Sequence, residues 1–397
     1  METPPEGGEE EEAATPATGR CSSGAVRART QGRALAGVPR TAVARDSIQR
    51  KKCAGVVEWR LDRGAWTGAR ATKRVRGHRR ARRPIWRLDA LLAEGCEHIE
   101  WNGRDPKLIV DAEGRIIAVL LGRPEGEDWD DVIKEMERIM AGVRRRGRKR
   151  GIFQSKSRSH RRGIFDLMSE AFSMGSGQRR PGNLVHTKEY RRLLRHFLEN
   201  RAIQRIAGFQ SSGVGRYFPK LWNYMADTMQ GIQQNQPGLC RPFNNSVYPA
   251  VTFNLGPDTV TAEHRDSHNL AHGVCPITSG GDYNHKNGGH LYMRQLKVVI
   301  EFPSGSSMAI LSSAVDHGNT PIAKGETRYS MTQYAAGALF RWAAFGYKTA
   351  KTLLATAGGA AQKALFDGEL GARTAWAVDL LSTADEVEAD RQEVFDE

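Results

Sequence analysis

The chain has 397 residues, enough for one sizeable domain with tails or for two or three domains. Its formal net charge of +14 and pI of about 9.7 favour a polyanionic partner. The five cysteines (Cys21, Cys53, Cys96, Cys240, Cys275) are scattered, odd in number and never spaced C-x-x-C, which excludes a disulfide framework and a structural zinc site and fits a reducing compartment. No apolar run approaches the length of a membrane span, and the N-terminus opens acidic (Glu9 to Glu12), so neither secretion nor membrane insertion is expected.

Residues 1–83 carry Gly, Ala, Ser, Thr and Arg with little hydrophobic periodicity, a composition that buries too little apolar surface to offset chain entropy. Disorder is expected there. The segment ends in K-R-V-R-G-H-R-R-A-R-R (Lys73 to Arg83), which suits a nuclear import signal or a nucleic-acid-binding arm, so a nuclear location is expected. Order is expected from Pro84. Lys107 to Leu121 reads as two β-rich runs about an Asp-Ala-Glu-Gly turn, a hairpin. Glu127 to Met140 places Val132, Ile133, Met136, Ile139 and Met140 on one helical face, with acids in the first turn and arginines beyond the end.

The strongest basic run follows, from Arg144 to Phe165 and densest over Arg144–Arg150. It reads as a phosphate-contacting loop that positions nucleic acid without specifying sequence, the alternative being a solvated linker. Helices are predicted over Lys188 to Ile206 and Phe218 to Ile232, the second with Pro219 in its first turn. Their aromatic and methionine stripes read as core facing a sheet.

Six short strands are predicted next: Tyr248 to Asn254, Thr259 to Glu263, His290 to Tyr292, Lys297 to Phe302, Ser307 to Leu311 and Arg328 to Ala335. Gly/Pro turns separate several of them and no helix intervenes, which argues for a sandwich or small barrel. Within this stretch His264 and Asp266 form a His-x-Asp triplet. Residues i and i+2 of an extended chain point the same way, so both can reach one ion, with His317 arriving from a distant strand. Two histidines and a carboxylate with open positions are the ligand set of non-haem Fe(II) oxygenases. Chance alone supplies about one His-x-carboxylate triplet in such a composition, and His98-Ile99-Glu100 is read as that incidental case.

Arg328, eleven residues beyond His317, offers a bidentate partner for the far carboxylate of 2-oxoglutarate, with the Ser330 hydroxyl on the same side of the strand. The remaining histidines (His268, His272, His285, His290) fit no common zinc spacing. His268 and Asn269 are expected to border the substrate opening.

F-N-L-G-P, E-H-R-D-S-H-N, G-G-H-L, V-V-I-E-F-P-S-G-S, D-H-G-N-T-P-I, G-E-T-R-Y-S-M-T-Q-Y and G-A-L-F-R-W, in that order, resemble the fungal TET/JBP-like 2-oxoglutarate/Fe(II)-dependent dioxygenases, a transposon-associated group. The resemblance spans about Lys107 to Thr349. It implies an α+β fold with a double-stranded β-helix (jelly-roll) core and flanking helices. It assigns His264, Asp266 and His317 to iron and Arg328, with Ser330, to 2-oxoglutarate. It also implies oxidation, with O2, of the methyl group of 5-methylcytosine or another methylated base in DNA, the base being flipped out of the stack to reach the iron.

The chain lacks the Cys-rich zinc region that precedes the catalytic domain in animal TET enzymes, and Glu263 is not general to relatives. The expected organisation is a disordered region (1–83), a hairpin and helix segment with a basic loop (84–180), the dioxygenase domain with its supporting helices (181–349), and a helical extension with a solvated acidic tail (350–397). The alternatives are an oxygenase acting on a protein or small molecule, and an inactive nucleic-acid-binding relative. Succinate formation stimulated by methylated oligonucleotide separates them.

Overall fold

The computed structural model describes residues 48–50, 66–68, 84–153, 159–160, 162–175, 177–367 and 372–395. Fifteen strands are placed among them: β1 (Ile48–Arg50), β2 (Glu97–Ile99), β3 (Lys107–Val110), β4 (Ile116–Gly122), β5 (Ser159–His160), β6 (Gly163–Ile164), β7 (Leu167–Ser173), β8 (Gly182–Asn183), β9 (Ala250–Asn254), β10 (Cys275–Gly280), β11 (Leu291–Met293), β12 (Val298–Ile300), β13 (Ser307–Ile310), β14 (Gly318–Asn319) and β15 (Tyr329–Tyr334). The larger sheet runs β1-β3-β4-β13-β10-β15-β9-β7-β8 and the smaller β14-β11-β12-β2. Pairing is antiparallel except for β1 with β3 and β2 with β12. The fold is thus mixed α+β with mainly antiparallel sheets, compatible with a sandwich core.

The predicted hairpin forms as β3 and β4. Its turn closes because Asp111 Oδ1 accepts from the backbone N–H of Glu113 (3.1 Å) and Arg115 (2.8 Å), an Asx turn, while Gly114 takes φ +84°. The helix predicted to end at Met140 runs on, as α2 (Trp129–Lys149), after the short α1 (Leu88–Ala93). Arginine and lysine are good helix formers and sit well in a last turn, so the start of the basic run, Arg144 to Lys149, is helix and not loop. Gly147 is needed within it, because a Cβ there would lie 2.2 Å from the Phe153 ring. The rest of the run is only partly described: residues 154–158 and 161 lie outside the described residues.

The single helix predicted over Lys188 to Ile206 is two, α3 (Lys188–Leu198) and α4 (Arg201–Tyr217). Asn200 breaks them, its Oδ1 accepting from the N–H of Ala202 and Ile203 as an N-cap. Pro219 then starts α5 (Pro219–Asn235) at its first turn. After β15 come α6 (Gly337–Ala344), α7 (Ala350–Leu354), α8 (Gly359–Asp367), α9 (Ala372–Asp379) and α10 (Val387–Phe395).

Alternation along the central strands gives the large sheet two different faces. Thr278 and the Met331 carbonyl accept from the amide of Gln210 on α4, and the Gln333 amide donates to the Ala207 carbonyl, so this face meets the helices. Ile277, Ser330 and Thr332 face the other way, into a cavity.

Some expectations change. Thr259 to Glu263 forms no strand; its backbone bonds are shared among Asp258, Arg328, Arg162, Asn319 and Pro84. Neither β7 nor β10 is among the predicted strands, and β10 carries Pro276 as its second residue. Its ladder to β15 begins only at Ile277, so the missing N–H falls where one neighbour alone is paired. Within 1–83, β1 pairs with β3, and Trp66 is buried with its carbonyl accepting from Ala271 N at 3.1 Å. Apart from Thr67 and Gly68, the remainder, including Glu9 to Glu12 and Lys73 to Arg83, lies outside the described residues. The acidic tail is not simply solvated: α10 packs on α5 through Phe395 against Trp222, and Asp390 meets Lys220 at 3.0 Å. One hydrophobic cluster runs from Trp66 through Leu121 and Phe253 to Leu381.

Candidate metal centre and its cavity

His264 and Asp266 lie on an extended segment held by its backbone to the chain before His317. The N–H of each histidine donates to the carbonyl of the other at 2.9 Å, and Asp266 N donates to the Ser312 carbonyl at 2.9 Å. The two imidazoles are held alike. His264 Nδ1 lies 2.8 Å from the Ala262 carbonyl and His317 Nδ1 lies 3.0 Å from that of Val315, each two residues back. A carbonyl can only accept, so the proton sits on Nδ1 and the Nε2 lone pair is left for a ligand. The rings stand 4.3 Å apart between centroids, and His264 Nε2 is 3.8 Å from Asp266 Oδ1. One donor atom from each of His264, Asp266 and His317 falls within 4.8 Å of the others, and all three residues are buried.

Burial, with His317 as the next cause, holds His264 well below the ordinary imidazole pKa, and burial lowers His317 as well. Both rings are thus neutral, the form that binds a cation. The donor set therefore suits a divalent transition metal. No other group of three or more such side chains is in reach of a common ion among the described residues.

The cavity beside these ligands has a volume of about 510 Å³ including its mouth, and its walls come from both sheets. Arg328 lies at its wall, only 1% exposed. Its Nη1 donates to the Thr259 carbonyl at 2.9 Å, and the guanidinium carbon stands 5.5 Å from the Phe302 ring centroid and 5.9 Å from that of Tyr283. Its Nε has no hydrogen-bond partner, and no carboxylate forms an ion pair with it among the described residues. Burial pulls its pKa down from the ordinary value. A buried cation with donors to spare at a cavity wall is a costly arrangement unless an anion completes it. Ser330 follows on the same face, its Oγ accepting from Asn254 Nδ2 at 2.8 Å, which leaves its own proton free to donate.

His268 and Asn269 do not line this cavity. His268 is exposed, its carbonyl accepting from Gly337 N. Asn269 is buried behind the wall, its amide donating to Cys275 Sγ and Ser312 Oγ, both at 3.3 Å. His98, His285 and His290 gather elsewhere: His98 and His285 stand 3.6 and 3.7 Å from Glu301, and His98 packs edge-on to His290.

Nothing in the sequence singles out Arg162. Its Nη2 donates to Asp266 Oδ1 at 2.5 Å, and it lines the cavity with Asn254 and the Thr261–Asn319 pair. Only its place in the basic run marks it, and that points toward phosphate and away from the interior.

No family model matches the chain, and no curated protein matches it. Among solved structures, a TET1 protein (NgTET1) in complex with DNA containing 5mC superposes with a TM-score of 0.40 at 13% identity, over 63% of this chain and 89% of that one. A likeness at that level carries no argument about activity. The fold and site define an α+β protein with a buried His-Asp-His group that could hold a metal ion, opening on a cavity with a buried arginine.

Proposed function

We propose that this chain is an Fe(II)- and 2-oxoglutarate-dependent dioxygenase with a double-stranded β-helix core, acting on the methyl group of 5-methylcytosine, or another methylated base, in DNA. One observation carries the reading: a buried His-Asp-His group shares one cavity with a buried arginine that has no ion-pair partner among the described residues. A metal alone does not need the arginine. A dicarboxylate alone does not need the histidines.

In this reading His264, Asp266 and His317 hold iron and leave coordination positions open on the cavity side. Iron with 2-oxoglutarate and O2 supplies the power to remove hydrogen from an unactivated methyl group. Arg328 takes the far carboxylate of 2-oxoglutarate in charge-assisted hydrogen bonds, and Ser330, oriented by Asn254, donates a further one. Arg162 fixes the Asp266 carboxylate from outside the ligand set. The metal ligands are buried, beyond the reach of a stacked base, so the nucleotide enters flipped out of the duplex. The basic composition supplies affinity for DNA, and a nuclear location follows from that substrate.

The test is nucleoside mass spectrometry on methylated duplex DNA incubated with the protein, Fe(II), 2-oxoglutarate and O2. Hydroxymethylated nucleoside with matching succinate is expected, and unmethylated DNA should leave succinate near its basal rate. Succinate stimulated by peptides or small molecules, with the DNA unchanged, contradicts the substrate class.

A further inference from the structure

We infer that the paired outer faces of α2 and α3 form a rigid cationic plate that takes the phosphate backbone of duplex nucleic acid, an inference that rests on the nucleic-acid reading above. The sequence marks only the α2 half of it, as a loop; α3 reads there as core alone.

Two ties fix the helices antiparallel and side by side. At one end Arg150, just past α2, meets Glu189 at the start of α3 at 3.1 Å. At the other, Asn200 just beyond α3 donates to Glu135 in α2 at 3.0 Å. Between these ties the pair runs for about 16 Å at 1.5 Å per residue, the length of four to five phosphates along one strand.

The exposed positions along this pair are strongly basic. Arg145 and Lys149 on α2, and Lys188, Arg191, Arg192 and Arg195 on α3, are all exposed, and none of the six forms an ion pair among the described residues. Of the acids beside them, Glu135 is taken by Arg138 and Asn200 and Glu189 by Arg150, while Glu199 stays exposed at the far end of α3.

The opposite face of α3 is core, with Leu193, Leu194 and Phe197 buried and Phe197 stacked on Phe253 at 4.1 Å. The helix therefore has no apolar face to give to lipid, and a membrane surface is the poorer partner. Arg148, on the same turns of α2, donates to Asp166 at 2.6 Å, and the segment ending there carries Arg162 into the cavity. The large sheet lies between these helices and the cavity, since Phe253 meets Phe197 while Asn254, the next residue, lines the cavity.

The experiment is fluorescence anisotropy with an unmethylated DNA duplex at several salt concentrations, comparing wild type with Arg145→Gln/Lys149→Gln/Arg191→Gln/Arg192→Gln/Arg195→Gln. The variant is expected to bind at least about 10-fold more weakly at physiological salt. Its log–log salt slope should be shallower by about 0.9 for each phosphate that is no longer neutralised. Its melting temperature should match wild type; should it not fold, Arg192→Gln/Arg195→Gln on α3 alone is expected to weaken binding by about half as much on a logarithmic scale. Unchanged affinity and slope in a folded variant overturn the plate while leaving the DNA reading standing. Wild type that binds no duplex at all, or binds anionic vesicles in preference, removes the nucleic-acid reading and the plate together.

Discussion

At the scale of the residue, the arginine of the cavity is the sharpest case. Hydrogen bonds to a charged group contribute about 1.5–3 kcal/mol, so Arg328→Gln should raise the Kd for 2-oxoglutarate roughly 10- to 100-fold while leaving metal affinity in place. Ser330→Ala, losing one neutral donor, should cost less than about 10-fold. Isothermal titration with each variant reads both; equal affinities for 2-oxoglutarate across the set would remove the anchor. His272 supplies an independent prediction. It is fully buried, neither ring nitrogen has a hydrogen-bond partner among the described residues, and burial lowers its pKa from 6.5 to about 3. The unfolded chain binds the proton first, so the stability tied to the neutral ring is whole above pH 6.5 and is lost as pH falls toward 3. Thermal melts should decline from pH 7 to pH 4.5, and less steeply in His272→Leu; parallel declines would show that other groups govern acid unfolding.

At the scale of the element, the break between α3 and α4 rests on one side chain. Asn200→Ala removes the acceptor for two N–H groups and should cost about 1 kcal/mol, a fall in Tm of about 2–4 °C. An unchanged Tm would mean that packing alone sets the break. The same residue shows what the sequence can and cannot tell. Periodicity over Lys188 to Ile206 is sound, and both halves bury their apolar faces, but a cap inside a continuous pattern is silent unless Asn is weighed as a start signal. Pro276 hides β10, because it argues against a strand unless its neighbour on that side is known to be unpaired. Periodicity likewise stops the α2 helix at Met140, because the turns beyond it are basic; that they sit on a helix packed along α3 is set by tertiary contacts.

At the scale of the molecule, the triad is legible because i and i+2 in extended chain share a side, and His317 is marked by its motif and its distance along the chain. Arg162 is not, because an arginine in a basic run gives no sign that it turns inward to a carboxylate. Nor is Trp66, from a stretch whose composition predicts disorder, which packs into the common core. Trp66→Ala should cost about 3–5 kcal/mol, as a large-to-small core change does; a loss below about 1 kcal/mol by denaturant titration would place it outside the cooperative unit. Binding and chemistry should also separate: Asp266→Ala is expected to retain duplex affinity while forming no oxidised base.

The most direct measurement is an anaerobic titration of the protein with Fe(II) and then 2-oxoglutarate, followed by visible absorption. One iron per chain is expected, with a charge-transfer band that needs both additions, vanishes in His317→Ala and requires far more 2-oxoglutarate in Arg328→Gln. Iron binding that survives replacement of His264, Asp266 and His317 together, or a band indifferent to Arg328, would contradict the account.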